Sequence, residues 1–260
     1  MERRDLLENL AVLQFLKNSS KGSTMDEQSI YRAIGVEPII NCRGTFTIIG
    51  GSVELPEVLA AIEEASRHFV QYDELAEGVG RRLAEITGAE WGMIPAGCAA
   101  GLKHVTAACV TGGNPEKLIR IPDLTGLIKT QVITPRYSRN AYDHAVRNIG
   151  VEVVTVETPA ELSHAINAKT AMIYLVAGNG SEEGQPLSLG TIVEVAKPAE
   201  IPVLVDAAAE DLTIPCIHLE KGADIVAYSG GKAICGPQGA GLVLGDKKIL
   251  MSAWQASSPH

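Results

Sequence analysis

The sequence predicts an α/β protein, a three-layer α/β/α arrangement around a seven-stranded, mostly parallel sheet. Three observations carry that expectation. Seven short apolar runs lie at 92–95, 118–122, 151–156, 171–177, 202–206, 224–229 and 241–245, and helix-length stretches separate most of them. Two consecutive runs end in polar chemistry, the first at Asp206 and the second at Ser229-Gly230-Gly231-Lys232. In an α/β sheet ligands gather outside such strand ends. The last run follows Lys232 too closely for a helical crossover, so it is expected to run antiparallel to its predecessor, while right-handed crossovers join the others.

Taken in order, residues 1–16 place Leu6, Leu10 and Leu13 at helical spacing, and Asp5 and Glu8 among them argue for an amphipathic helix rather than a signal peptide. The polar stretch 18–24 reads as a linker. The expected divisions are therefore an extension and linker at 1–24, an arm with helices at 25–90, and the main domain at 91–260. Within the arm, the Gly- and Thr-rich segment 43–52 is unsuited to a regular helix. Helices are expected at 56–67, opening on Pro56, and at 72–87, closing before Gly88. The segment 91–101, Trp-Gly-Met-Ile-Pro-Ala-Gly-Cys-Ala-Ala-Gly, reads as a short strand, a glycine turn and the start of an Ala-rich helix.

Composition bounds the function. With 260 residues, 46% hydrophobic and 20% charged, the chain suits one large domain with a substantial core. A net charge of −9 with no basic cluster argues against a nucleic-acid partner on electrostatic grounds. The five cysteines are far apart and the six histidines show no ligand spacing, so neither a metal site nor a disulfide framework is expected; reduced thiols in the cytoplasm are the plain reading. No apolar run approaches the roughly 20 residues of a membrane span.

A lone lysine is ordinarily a solvated surface group, and a small-residue turn is ordinarily only a turn. Their combination with Asp206 changes the reading. A carboxylate at a buried strand end is costly without a cation. Pyridoxal phosphate enzymes use such a pair: a lysine forms a Schiff base with the cofactor, and a carboxylate at a neighbouring strand end keeps the pyridine nitrogen protonated. The N–H groups at Gly97, Cys98 and Ala99, where a helix starts, would then form a cup for the phosphate. Other phosphate motifs fail. Ala233 follows Lys232 where a Walker A loop needs Ser or Thr, and 239–244 lacks the third glycine of a dinucleotide fingerprint.

Asp206-Ala207-Ala208, Ser229-Gly230-Gly231-Lys232 and Gly236-Pro237-Gln238 resemble the fold-type-I pyridoxal phosphate enzymes, in the branch that holds seryl-tRNA selenium transferase and D-glucosaminate-6-phosphate ammonia lyase. The resemblance runs from about Tyr31 to the last residue. It implies a PLP-binding large domain at 91–260 and a small C-terminal domain, which this chain is expected to lack. It implies Lys232 as Schiff-base lysine and proton acceptor, Asp206 as partner of the ring nitrogen, and Ser229 with Gly97, Cys98 and Ala99 as phosphate ligands. Either Tyr142 or His144 would stack on the ring. The implied chemistry is α,β-elimination of an amino acid or amino sugar acid by a homodimer or higher homo-oligomer. The alternatives are β-replacement on seryl-tRNA, and a truncated cofactor-binding remnant without turnover.

Overall fold

The computed structural model describes residues 30–257, so the helix expected at 1–16 and the linker at 18–24 lie outside the described residues. The chain divides into two units, Met1–Gly44 and Thr45–His260. In the described part of the first, a 3-10 turn at Arg32–Ile34 is closed by Gly35, whose φ of 77° suits glycine, and Arg32 Nε bonds Glu37 at 2.9 Å.

The second unit opens with a 3-10 turn, Thr47–Ile49, in the segment expected to be irregular, followed by helices α1 (Pro56–Ala65) and α2 (Tyr72–Thr87). Pro56 stands in the first turn of α1, and Gly88 closes α2 in the left-handed region at φ 73°. Then come β1 (Trp91–Met93), α3 (Cys98–Thr111), α4 (Pro115–Leu118), β2 (Gln131–Pro135), α5 (His144–Arg147) and β3 (Glu152–Val156). The chain continues through α6 (Pro159–Ala165), β4 (Thr170–Val176), α7 (Leu189–Ala196), β5 (Val203–Asp206) and α8 (Ile217–Glu220). It ends with β6 (Ile225–Ser229), β7 (Gly241–Gly245) and α9 (Lys247–Gln255).

The seven strands form one sheet in the order β1-β7-β6-β5-β4-β2-β3. Neighbours β3, β2, β4, β5 and β6 pair in parallel, and β7 is antiparallel to both β6 and β1. The expected antiparallel last strand is thus present.

One expected strand is corrected. Residues 118–122 are not β structure: Asn114 accepts a hydrogen bond from the Lys117 N–H, Pro115 occupies the first helical position, and the chain turns into α4. A capped Asn-Pro start outweighs four apolar residues. The second strand is instead Gln131–Pro135, whose signal was the β-branched Val132-Ile133-Thr134 run closed by a proline.

Alternation of side chains along each strand creates two cores. On one face Leu102, Val105 and Ala108 of α3 and Leu250 and Ala253 of α9 pack over Met172, Tyr174, Leu204, Ile225 and Val243. On the other, Leu189, Ile192 and Val193 of α7 and Leu162 of α6 cover Ile133, Ile173, Leu175, Val203 and Val205. Leu204 and Val205 are both fully buried, so β5 is a central strand and its last residue, Asp206, is presented at the carboxyl edge of the sheet.

Candidate active site

A cavity of about 190 Å³ opens at that edge. Gly97, Cys98 and Ala99 line it from the start of α3, Asp206 from the end of β5, and Ser229 and Lys232 from the end of β6 and the turn after it. Tyr142 lines it from the 3-10 turn Ala141–Asp143. A larger hollow of about 440 Å³ between α2, β1 and α9 is lined mainly by apolar side chains, Tyr72, Trp91 and Trp254 among them, and neither a lysine nor a thiol lines it.

Close backbone packing shapes the small cavity. Gly97 sits at φ 99° and ψ 159°, a conformation suited only to glycine, and its N–H donates to the Pro95 carbonyl at 2.8 Å. Gly97 therefore contributes a turn rather than a donor. The N–H groups of Cys98 and Ala99, in the first turn of α3, have no intrahelical acceptor and carry the positive end of the helix dipole. A Cβ on Gly241 would lie 2.6 Å from the Gly97 carbonyl carbon and 2.8 Å from the Cys98 nitrogen, so β7 is pressed against this helix start. In the lysine turn, a Cβ on Gly231 would lie 2.4 Å from the Gln238 Cα. The N–H and hydroxyl of Ser52 both bond the Gly231 carbonyl, at 2.9 and 3.1 Å, which pins the segment after Thr47–Ile49 to the lysine turn. Cys235, three residues beyond Lys232, adopts φ 55°, a strained conformation for a non-glycine residue.

Asp206 is 6% exposed. Its Oδ1 accepts the Ala208 N–H at 3.1 Å and faces the Cys98 Sγ at 3.7 Å, and its Oδ2 accepts the Tyr174 hydroxyl at 3.0 Å. Burial pushes its proton affinity above the ordinary carboxylate range; the three donors and the charge of Lys232 only partly offset that. Burial, then the neighbouring carboxylate, raises the Cys98 thiol well above its usual range, so it stands there as a neutral donor. The site thus holds a buried carboxylate whose charge the nearby lysine only partly compensates.

The Lys232 Nζ lies 6.0 Å from the centre of the Tyr142 ring. That ring is held by its turn: the Asn140 side chain accepts the Tyr142 N–H at 2.7 Å, and buried Asp143 binds both Arg139 and Arg147. Burial works against the Asp143 charge, but the hydrogen bonds and charges of the two guanidinium groups outweigh it and hold this carboxyl below its usual range. His144 is exposed, pairs with Asn148, and is not among the residues lining the cavity. Tyr174 and Thr47 are not singled out by the sequence patterns above, and Gln238 enters there only within the Gly236-Pro237-Gln238 motif. The last two also line the cavity, and a hydroxylated aromatic near the end of a buried strand was the available signal for Tyr174.

These residues fit pyridoxal phosphate on their own chemistry: a buried carboxylate held by an N–H, a thiol and a phenol, an amine lining the same cavity, and a helix start whose N–H groups have no intrahelical acceptor, beside a serine hydroxyl. Among the described residues no group of His, Cys, Asp and Glu is placed to hold a metal ion.

Residues 138–258 match the aminotransferase class-V family. Over 227 residues the chain is 33% identical to the D-glucosaminate-6-phosphate ammonia lyase of Salmonella typhimurium, covering 84% of this chain and 61% of that protein. It is 27% identical over 255 residues to the L-seryl-tRNA(Sec) selenium transferase of Yersinia pestis, covering 84% of this chain and 51% of that protein. The chain therefore spans between half and two thirds of the length of these relatives. A solved structure of D-glucosaminate-6-phosphate ammonia-lyase superposes with a TM-score of 0.81 at 32% identity, over 88% of this chain and 63% of that one. A ureidoglycine-glyoxylate aminotransferase from Bacillus subtilis, at 18% identity and a TM-score of 0.53 over 80% of this chain and 53% of that one, shares the fold. Residues 138–258 thus carry an aminotransferase class-V domain, and sheet and site match the fold of the pyridoxal phosphate enzymes, among them the ammonia lyase and the selenium transferase to which the chain is similar in sequence.

Proposed function

We propose that the chain serves as the cofactor-binding part of a lyase that removes ammonia from an amino sugar acid by α,β-elimination. The observation that supports it most is the buried, raised carboxylate of Asp206 lining one cavity with Lys232, in a chain 33% identical to a sugar-acid ammonia lyase.

In this reading Lys232 would hold pyridoxal phosphate at its Nζ, and its amine would take the proton from the substrate α-carbon. Asp206 keeps the proton on the ring nitrogen. The N–H groups of Cys98 and Ala99 and the hydroxyl of Ser229 would hold the phosphate, and Tyr142 would pack against the ring. When bound, pyridoxal phosphate supplies the electron sink for the pair left on the α-carbon. The cytoplasm suits five unpaired thiols, and self-association through the exposed apolar side chains of α1 and α2 suits a homo-oligomer.

The test combines spectroscopy and mapping. The purified protein is expected to absorb in the visible, to lose that band on borohydride treatment, and to carry the reduced label on Lys232. It is then expected to release ammonia and a keto acid from D-glucosaminate 6-phosphate. A label on Lys103 or Lys129 overturns the site, and a correct label without turnover of any amino sugar acid overturns the substrate class.

A further inference from the structure

We propose that Tyr174 is a positioning residue that keeps the proton shared by Asp206 and the cofactor ring on the ring nitrogen. The proposal rests on the pyridoxal phosphate reading above. In the parallel pairing of β4 with β5, Tyr174 stands opposite Leu204 and Val176 opposite Asp206. Tyr174, Leu204 and Asp206 therefore lie on one face, the face that α3 covers. Two residues of strand span about 6.6 Å. A phenol is long enough to cross that distance along its neighbour strand, and its hydroxyl reaches Asp206 Oδ2 at 3.0 Å.

A buried phenol needs an acceptor, and Tyr174 is only 1% exposed. A wholly structural tyrosine would meet that need with any carbonyl. Here the acceptor is the one carboxylate that lines the cavity, and the same carboxylate collects the Ala208 N–H and the Cys98 thiol on its other oxygen. Every one of these donors favours the ionised carboxylate, against a burial that favours the neutral acid. A neutral Asp206 cannot hold a second proton on the ring nitrogen. Tyr174 bears most on that balance among the side-chain donors, because its oxygen is 3.0 Å away while the Cys98 sulfur is 3.7 Å away and is a weak donor. The titratable groups that bear on the pair are Lys232 and Cys98 on Asp206, and Asp143 in addition on Tyr174.

The experiment reads the two protonation sites directly. In Tyr174→Phe, the cofactor carrying a 15N label in its ring is expected to move its nitrogen signal toward that of an unprotonated pyridine. The 13C-carboxyl signal of Asp206 in the cofactor-free protein is expected to titrate about one pH unit higher. Cys98→Ala is expected to move both by less. A Tyr174 replaced by 2,3-difluorotyrosine, a stronger donor of nearly the same shape, is expected to shift both signals the opposite way, and it serves where the phenylalanine variant does not fold. Unchanged 15N and 13C signals in both variants, with the borohydride label on Lys232, overturn this proposal and leave the cofactor reading standing. A missing label overturns the cofactor reading and this role of Tyr174 with it, whatever the 13C titration shows.

Discussion

At Asp206 the cost and the use of a buried charge meet in one side chain. Its raised proton affinity has a consequence for stability without cofactor: the folded state binds the proton more tightly than the unfolded chain does. Stability is then highest below the ordinary carboxylate pKa and falls as pH rises from there through the raised value, by up to about 1.4 kcal/mol per pH unit. Asp206→Asn removes that slope. The cofactor-free variant is expected to melt at the same temperature as the parent or higher at neutral pH, and to show a flatter pH dependence in thermal unfolding. With cofactor present the order reverses for function: Asp206→Asn is expected to retain most cofactor occupancy while turnover falls at least about 100-fold, the scale of losing a positioned electrostatic partner. Equal loss of occupancy and turnover would make Asp206 a structural residue only.

At the scale of elements, the site is assembled where three backbones touch. The start of α3, the end of β6 and the first residue of β7 meet through Gly97 and Gly241. Gly241→Ala forces a Cβ to within 2.6 Å of the Gly97 carbonyl carbon, so the helix start that would hold the phosphate must shift. Overpacking of this kind costs about 1–3 kcal/mol. The variant is expected to keep its far-UV circular dichroism and to bind pyridoxal phosphate about tenfold or more weakly in a spectral titration. An unaltered affinity would show that the cup lies elsewhere. The pin between Ser52 and the Gly231 carbonyl joins the segment after Thr47–Ile49 to the lysine turn, which brings Thr47 to the cavity. Ser52→Ala is expected to loosen that segment and raise KM with little change in cofactor affinity. A changed affinity with unchanged KM would place the role of the pin at the cofactor instead.

At the scale of the whole molecule, charge and exposed apolar surface set the partners. With a net charge of −9, no useful affinity for seryl-tRNA is expected at physiological salt, and specific, salt-resistant retardation in a gel-shift experiment would promote the selenium-transferase chemistry instead. Helix α1 has no buried residue among its ten, although it carries Leu59 and Ile62, and Phe69 and Val70 just beyond it are also exposed. Light scattering is expected to show a dimer or larger species that Leu59→Glu with Ile62→Glu dissociates. A monomeric parent would remove that surface from consideration. No helix among the described residues is long and apolar enough to cross a membrane.

Local chemistry made much of this legible in the chain alone. Strand ends at Asp206 and Ser229, the start of α3 after Gly97, the whole of α2 and the reversed last strand follow from short-range patterns: apolar runs, glycine turns, and a connection too short for a crossover. The segment 118–122 misled because four apolar residues carry no period, and the Asn114-Pro115 cap decided it. Tertiary structure alone settled what long-range pairing controls. Tyr174 meets Asp206, 32 residues further on, only because β4 lies beside β5 in a set register. That Tyr142 rather than His144 lines the cavity depends on the Asn140 cap and the Asp143 ion pairs, which hold Tyr142 in a 3-10 turn there while His144 starts the next helix. Gly97 proved to give a backbone turn rather than an N–H, because its donor is taken by the Pro95 carbonyl. Hydrogen bonds are satisfied in three dimensions, and residue spacing does not say which acceptor a donor will find.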